Sequence, residues 1–223
     1  MKHLIFALIS LFFVAFSAQA QSAKAMPTKE IALNAEEKAS VTRVEKYLSG
    51  LTTILADFVQ IAPDGSLVSG KFYLQRPGKM RWQYEPPTPI LMVADGRHLI
   101  FYDYELDQTS YIPLQDTLAG FLARKDIKFG KDVVITAIEE GAGTLRLTMV
   151  QKSKPKDGSL TLEFATEPLQ LRNMLVFDAT GQQTTVALNN ARYGVPLDAK
   201  LFIFDDTIKP RIGKKKPSQG ISR

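Results

Sequence analysis

The 223-residue sequence contains no cysteine. That excludes disulfide staples, thiolate metal centres, thiol nucleophiles and the acylated cysteine by which a lipid-anchored protein holds its membrane. Of its two histidines, His3 falls in an apolar leader, which leaves His98 alone on a predicted strand. One imidazole supplies neither a zinc or copper ligand set nor a serine-histidine relay. There is no G-x-S-x-G elbow, and no glycine-rich loop stands ahead of a helix to cradle phosphate. The acid pairs Glu139-Glu140 and Asp205-Asp206 are adjacent, so on a strand each pair splits between two faces instead of sharing a proton. Every one of these absences points away from an enzyme, a metal site and a cofactor. The cations alternate with apolar residues over many short runs and form no single basic-aromatic platform, which argues against nucleic acid as a partner.

What is present begins with a leader. Lys2 precedes an apolar run from Leu4 to about Phe16, and Ala18 and Ala20 follow in an A-x-A arrangement. The pattern is that of a signal peptide over residues 1–20, since the run is shorter than the roughly 20 residues a bilayer span requires. Loss of Lys2 takes the net charge from +5 to +4. Residues 21–33 read as a linker, residues 34–204 as one domain large enough for a sizeable core, and residues 205–223 as a basic tail. The stretch KPRIGKKK, 209 to 216, holds five cations and no acid. It reads as a solvated tail, with attraction to anionic head groups or an acidic partner as the functional alternative, each cation adding about 1 kcal/mol near such a surface.

Asn34 followed three residues later by Glu37 is a capping box, and Val41, Val44, Leu48 and Leu51 recur at helical spacing, predicting a helix over 35–49 closed by Gly50. From Thr53 the period changes to two. Strand-like runs follow near 54–62, 67–75, 80–85, 90–94, 97–103 and 107–112, separated by Pro, Gly and Asp turns. Leu114, Leu118, Phe121 and Leu122 suggest a short helix weakened by Gly120. Runs resume near 132–139, 143–151, 158–166, 169–178 and 182–192, and LDAKLFIF suggests a last helical turn. About eleven antiparallel strands and two or three short helices result.

Several strands are one-sided: Phe72 with Leu74; Met80, Trp82 and Tyr84; Leu145, Leu147 and Met149; Leu160, Leu162 and Phe164; Leu171, Leu175 and Phe177. One large sheet with one apolar and one wet face satisfies this pattern. Two short helices cannot cover such a face, so the sheet either closes on a packed interior or encloses an apolar cavity. Periodicity leaves both options open. Arg76 falls in line with Phe72 and Leu74, where a cation needs a partner, while Lys79 and Arg81 take the opposite parity and are expected in water.

The succession Phe58-Val-Gln60, Arg76-Pro77, Met80-Arg-Trp82 with its Pro-rich loop, Asp95-Gly96, Phe101-Tyr102, Asp107-Gln108, Leu197-Asp198 and Phe202-x-Phe204 resembles the LolA family of periplasmic lipoprotein carriers over residues 35 to 204. The resemblance implies a mainly β fold, an unclosed eleven-stranded antiparallel β-barrel with a helical lid over an apolar cavity for acyl chains. It implies a soluble, monomeric, non-enzymatic periplasmic carrier without cofactor. Its partners would be acylated lipoproteins, an inner-membrane ABC-type release complex and an outer-membrane receptor. Arg76 matches the family arginine that holds the lid through backbone hydrogen bonds. Phe58, Phe72, Leu74, Met80, Trp82, Tyr84, Leu145, Leu147, Leu162 and Phe164 are the expected cavity lining. Val41, Val44, Leu48, Leu118, Phe121 and Leu122 are the expected lid residues. The alternatives are a lipid-sensing regulatory module on the same half-barrel, which usually brings a further partner-binding domain, and a small periplasmic enzyme, which would show paired carboxylates or an activated nucleophile in its cavity.

Overall fold

The computed structural model describes residues 27–205. The expected signal peptide lies outside these residues, as does the basic tail beyond Asp205. Helix α1 (Ala35–Gly50) starts at the anticipated box: Asn34 Oδ1 accepts from the Glu37 N–H at 3.0 Å, and Glu37 Oε2 accepts from the Asn34 N–H at 2.8 Å. Ahead of it, Ile31 and Leu33 pack on the core, and the Ile31 N–H bonds the Ile135 carbonyl at 3.0 Å. This end of the segment read as a linker is therefore held to the sheet.

Among the described residues eleven strands follow: β1 (Thr53–Ile61), β2 (Leu67–Gln75), β3 (Lys79–Tyr84), β4 (Ile90–Asp95), β5 (His98–Asp103), β6 (Gln108–Pro113), β7 (Val133–Gly141), β8 (Thr144–Gln151), β9 (Gly158–Thr166), β10 (Leu169–Asp178) and β11 (Gln183–Tyr193). They form one sheet in the order β6-β5-β4-β3-β2-β1-β11-β10-β9-β8-β7, antiparallel throughout. Short turns join all neighbours except β1 and β11, whose pairing brings the two halves together. Strands β6 and β7 end the sheet and do not pair, so the barrel is unclosed. The chain between them carries a 3-10 turn (Leu114–Asp116) and helix α2 (Leu118–Leu122).

Helix α1 runs along the concave face from β7 to β10. Arg43 pairs with Glu140 at 2.7 Å, Tyr47 meets the Phe164 ring edge-on at 6.0 Å, and Tyr47 Oη accepts the Leu171 N–H at 3.1 Å. Val41, Val44 and Leu48 join Leu145, Leu147, Leu162 and Phe164 in a continuous buried core. The glycine in α2 has a steric reason: a Cβ on Gly120 would stand 1.8 Å from the Leu114 carbonyl oxygen, so only a bare Cα lets the 3-10 turn and α2 stack.

Two expectations about the faces change. Strand β10 carries an extra residue between Leu171 and Asn173, and such a bulge reverses the parity beyond it. Leu171 and Met174 point inward, opposite Phe164 and Leu162, while Leu175 and Phe177 fall on the outer face beside Thr161 and Ser159. Nor is the outer face wet throughout. After β11 the chain crosses it: Thr53 Oγ1 donates to the Val195 carbonyl at 2.8 Å, and the 3-10 turn Ala199–Phe202 follows. Phe204 then packs edge-on to Tyr102 at 5.4 Å above buried Leu91 and Val93. Arg81 lies under this strap. It donates to the Leu201 carbonyl at 3.1 Å, and burial lowers its pKa, so the expectation that it remains in water is overturned. Lys79, at the strand's start, is half-buried.

Candidate functional site

Where α1 does not cover the sheet, a cavity of about 600 Å³ opens. This lies within the roughly 300–1,000 Å³ range of small-molecule pockets. Its floor is formed by Ile54 of β1, Phe72 and Leu74 of β2, Met80, Trp82 and Tyr84 of β3, Met92 of β4 and Leu99 of β5. Leu171 and Met174 of β10 and Val186 of β11 form the far wall. Leu48 and Leu51 of α1 and Leu118, Ala119 and Leu122 of α2 form the roof. Polar residues also line it: Gln60, Arg76, Asp116, Thr117, Gln151, Lys154, Asp157, Ser159, Asp178 and Thr184.

Thus Phe72, Leu74, Met80, Trp82 and Tyr84 line the hollow, together with Leu48, Leu118 and Leu122. Phe58, Leu145, Leu147, Leu162 and Phe164 do not. The Phe58 ring lies over Gly70, where a Cβ would stand 2.6 Å from it, and Trp82 and Tyr84 cover it with edge-on rings at 5.1 Å. Leu145, Leu147, Leu162 and Phe164 are completely buried in the half of the sheet that α1 covers. Val41, Val44 and Phe121 are buried within the same core and do not face the cavity. Leu51, Ile54, Met92, Leu99, Leu171, Met174 and Val186 were not anticipated. The register could have found Met92, directly opposite Trp82 on the same face.

Arg76 sits at the β2–β3 turn beside this roof. Its Nε and Nη2 donate to the Leu122 carbonyl at 2.9 and 2.7 Å, and its Nη1 donates to the Leu51 carbonyl at 3.0 Å. Leu122 is the last residue of α2 and Leu51 the C-cap of α1. One guanidinium therefore joins the C-terminal ends of both helices, where unpaired carbonyls and the negative pole of the helix dipole favour a cation. No described carboxylate lies within 4.0 Å of it. Burial lowers its pKa to about 10, partly opposed by nearby Tyr47, and it stays protonated at neutral pH. A second clasp lies alongside, with the Gly78 N–H donating to the Ala123 carbonyl at 2.7 Å.

The chemistry available is binding by burial of hydrocarbon. Burial pushes Tyr84 up to about 12, so its phenol is neutral. Among the described residues no three His, Cys, Asp or Glu side chains gather to hold a metal.

Residues 49–205 match the family model described as outer membrane lipoprotein carrier protein LolA. An outer-membrane lipoprotein carrier protein of Methylococcus capsulatus is 34% identical over 176 residues, 73% of this chain and 82% of that one. The carrier protein of Pseudomonas paraeruginosa is 30% identical over 182 residues, 77% of this chain and 86% of that one. One from Legionella pneumophila is 29% identical over 170 residues, 73% and 83% of the two chains.

Proposed function

The chain belongs to the LolA family of outer membrane lipoprotein carriers, and on that premise we propose that it carries lipoproteins with their acyl chains in the cavity under α1 and α2. The observation that bears most weight is the 600 Å³ apolar hollow, unfilled by its own side chains and roofed by two helix ends that one arginine holds. Each methylene withdrawn from water contributes about 0.8 kcal/mol, so an acylated protein leaves a membrane at a useful rate only when offered comparable apolar surface. The cavity offers surface of that kind, and the roof covers part of it.

Arg76 is the switch in this reading. Its bonds to Leu51 and Leu122 favour the roofed state. Acyl chains pressing against Leu118 and Leu122 favour release of those bonds, because the freed carbonyls can take water. The protein acts as a monomer in the periplasm after loss of its signal peptide. It receives cargo from an inner-membrane ABC-type complex and delivers it to an outer-membrane receptor; direction comes from those partners, and no covalent step is required. The test is lipoprotein release from spheroplasts with and without the purified protein. Movement of membrane-bound lipoproteins into the soluble fraction only when it is added is the expected result; equal release in both arms refutes the proposal.

A further inference from the structure

The floor of the cavity is hydrocarbon over most of its extent and its polar groups lie toward the rim, but β1 and β3 carry a polar pair on the floor itself. There Tyr84 Oη donates to Gln60 Oε1 at 2.7 Å, and both side chains line the hollow. A tyrosine and a glutamine together hold three polar hydrogens, and this pair spends one on itself. The Gln60 amide nitrogen has no protein partner among the described residues. Exchanging the amide's oxygen and nitrogen leaves the count unchanged, since the hydroxyl hydrogen then becomes the spare donor. A wall that met only methylenes would gain nothing from a carboxamide, whose desolvation is unfavourable without a partner. The pair therefore suits a ligand with an acceptor atom at this point.

Its place along the strands sets what the ligand looks like. Ile54, at the other end of the β1 floor, is opposite Leu74, two residues from Arg76. From Ile54 to Gln60 is six residues of extended chain, about 20 Å. Between them the wall is Phe72, Met80 and Trp82, without hydrogen-bond acceptors. The hollow thus has a long hydrocarbon reach ending at the spare donor of this pair. That is the polarity of an acyl group: a chain of methylenes terminated by a carbonyl oxygen.

We infer that Gln60, oriented by Tyr84, is the carbonyl subsite of the cavity. It donates to an acyl ester oxygen and sets the chains with their methyl ends toward Arg76. This rests on the acyl-carrier reading above, and it adds a specificity: acyl esters over hydrocarbon chains of equal length without carbonyls. Gln60 acts by touching the ligand, and Tyr84 is a positioning residue that acts through it.

The test uses the full chain and two probes, dioctanoyl glycerol and its dioctyl ether analogue, which lacks both carbonyls. The protein has one tryptophan, Trp82, and it lines the cavity, so its fluorescence reports occupancy. Wild type should bind the ester roughly three- to tenfold more tightly than the ether, the difference a single net hydrogen bond makes. Gln60→Leu should bring the two affinities level while leaving ether binding as strong or stronger; Gln60→Met serves if the leucine form folds poorly. Tyr84→Phe keeps the ring on Phe58 and should shrink the ester preference without removing it. Unchanged ether binding shows that each variant retains its cavity, a control a purely structural role for the pair would not pass. Equal binding of ester and ether by wild type, or an ester preference that survives in Gln60→Leu, overturns the subsite and leaves the carrier reading standing. Failure of both probes to bind wild type overturns the two together.

Discussion

Replacing Arg76 with leucine should separate the roof from the fold. Three hydrogen bonds to two carbonyl oxygens disappear. Bonds from a charged donor contribute about 1.5–3 kcal/mol each, and with two acceptors left open the loss is about 3–6 kcal/mol. Against this, a depression from 12.5 to about 10 means that holding the charge in the protein costs about 3 kcal/mol at neutral pH, reduced by the water that still reaches the group. Leucine removes that cost and adds apolar burial. The two effects nearly offset, so Arg76→Leu should change global stability by no more than about 2 kcal/mol, a midpoint shift of a few degrees for a domain of this size. The Gly78–Ala123 bond remains, but nothing replaces the guanidinium on the Leu51 and Leu122 carbonyls, and the Leu122 carbonyl now favours the lifted roof. Hydrogen exchange at the amides of Phe121 and Ala123, which close α2 onto Thr117 and Ala119, should accelerate at least tenfold, about 1.4 kcal/mol. Amides of α1 near Tyr47 should be unaffected. Lipoprotein transfer in vitro should slow. Unchanged exchange at Phe121 and Ala123 together with unchanged transfer would remove Arg76 from the mechanism.

Gly120→Ala drives a Cβ into the Leu114 carbonyl and should destabilise the protein by about 1–3 kcal/mol, read from a denaturant midpoint; a neutral result means the α2 junction is looser than described. Leu118→Trp, at a half-buried roof position facing the hollow, should fill space and weaken binding of a hydrocarbon probe at least fivefold at unchanged stability, measured by probe titration beside thermal melting. Acid should loosen the segment after α2: the Arg124 hydrogen bond holds Asp132 below its usual 3.8, so its contribution is complete above that value and lost as pH falls through the lower native value. Exchange in residues 124–132 below pH 4 should show this loosening, and Asp132→Asn should abolish the pH dependence; a dependence that persists in the variant assigns it elsewhere.

Strand positions were legible because alternation and Pro-Gly or Asp-Gly turns are local signals. The capping box at Asn34 and Glu37 was legible for the same reason. Alternation assigns a face and says nothing of what lies above it, so Leu145, Leu147, Leu162 and Phe164 looked as available for a cavity wall as Met80 and Trp82. Only the course of α1, fixed by distant contacts such as Tyr47 with Leu171, decided which became solid core. The reversal at Leu175 and Phe177 came from one extra residue at Arg172, which has no side-chain signature. Arg81 was misplaced because the strap that buries it arrives from 120 positions later in the chain. Arg76 stood out as a cation in an apolar row, but its partners are main-chain carbonyls, and these no composition can announce.

The division of the concave face into a filled half and a vacant half has an evolutionary consequence. Side chains beneath α1 are constrained by close packing, where one methylene is felt. Those around the vacancy adjoin empty volume and can grow or shrink with little effect on folding. Variation in the preferred cargo can therefore accumulate at partly buried positions such as Met92 and Leu99 while the scaffold drifts hardly at all. Relatives that serve different lipids should differ first along that wall.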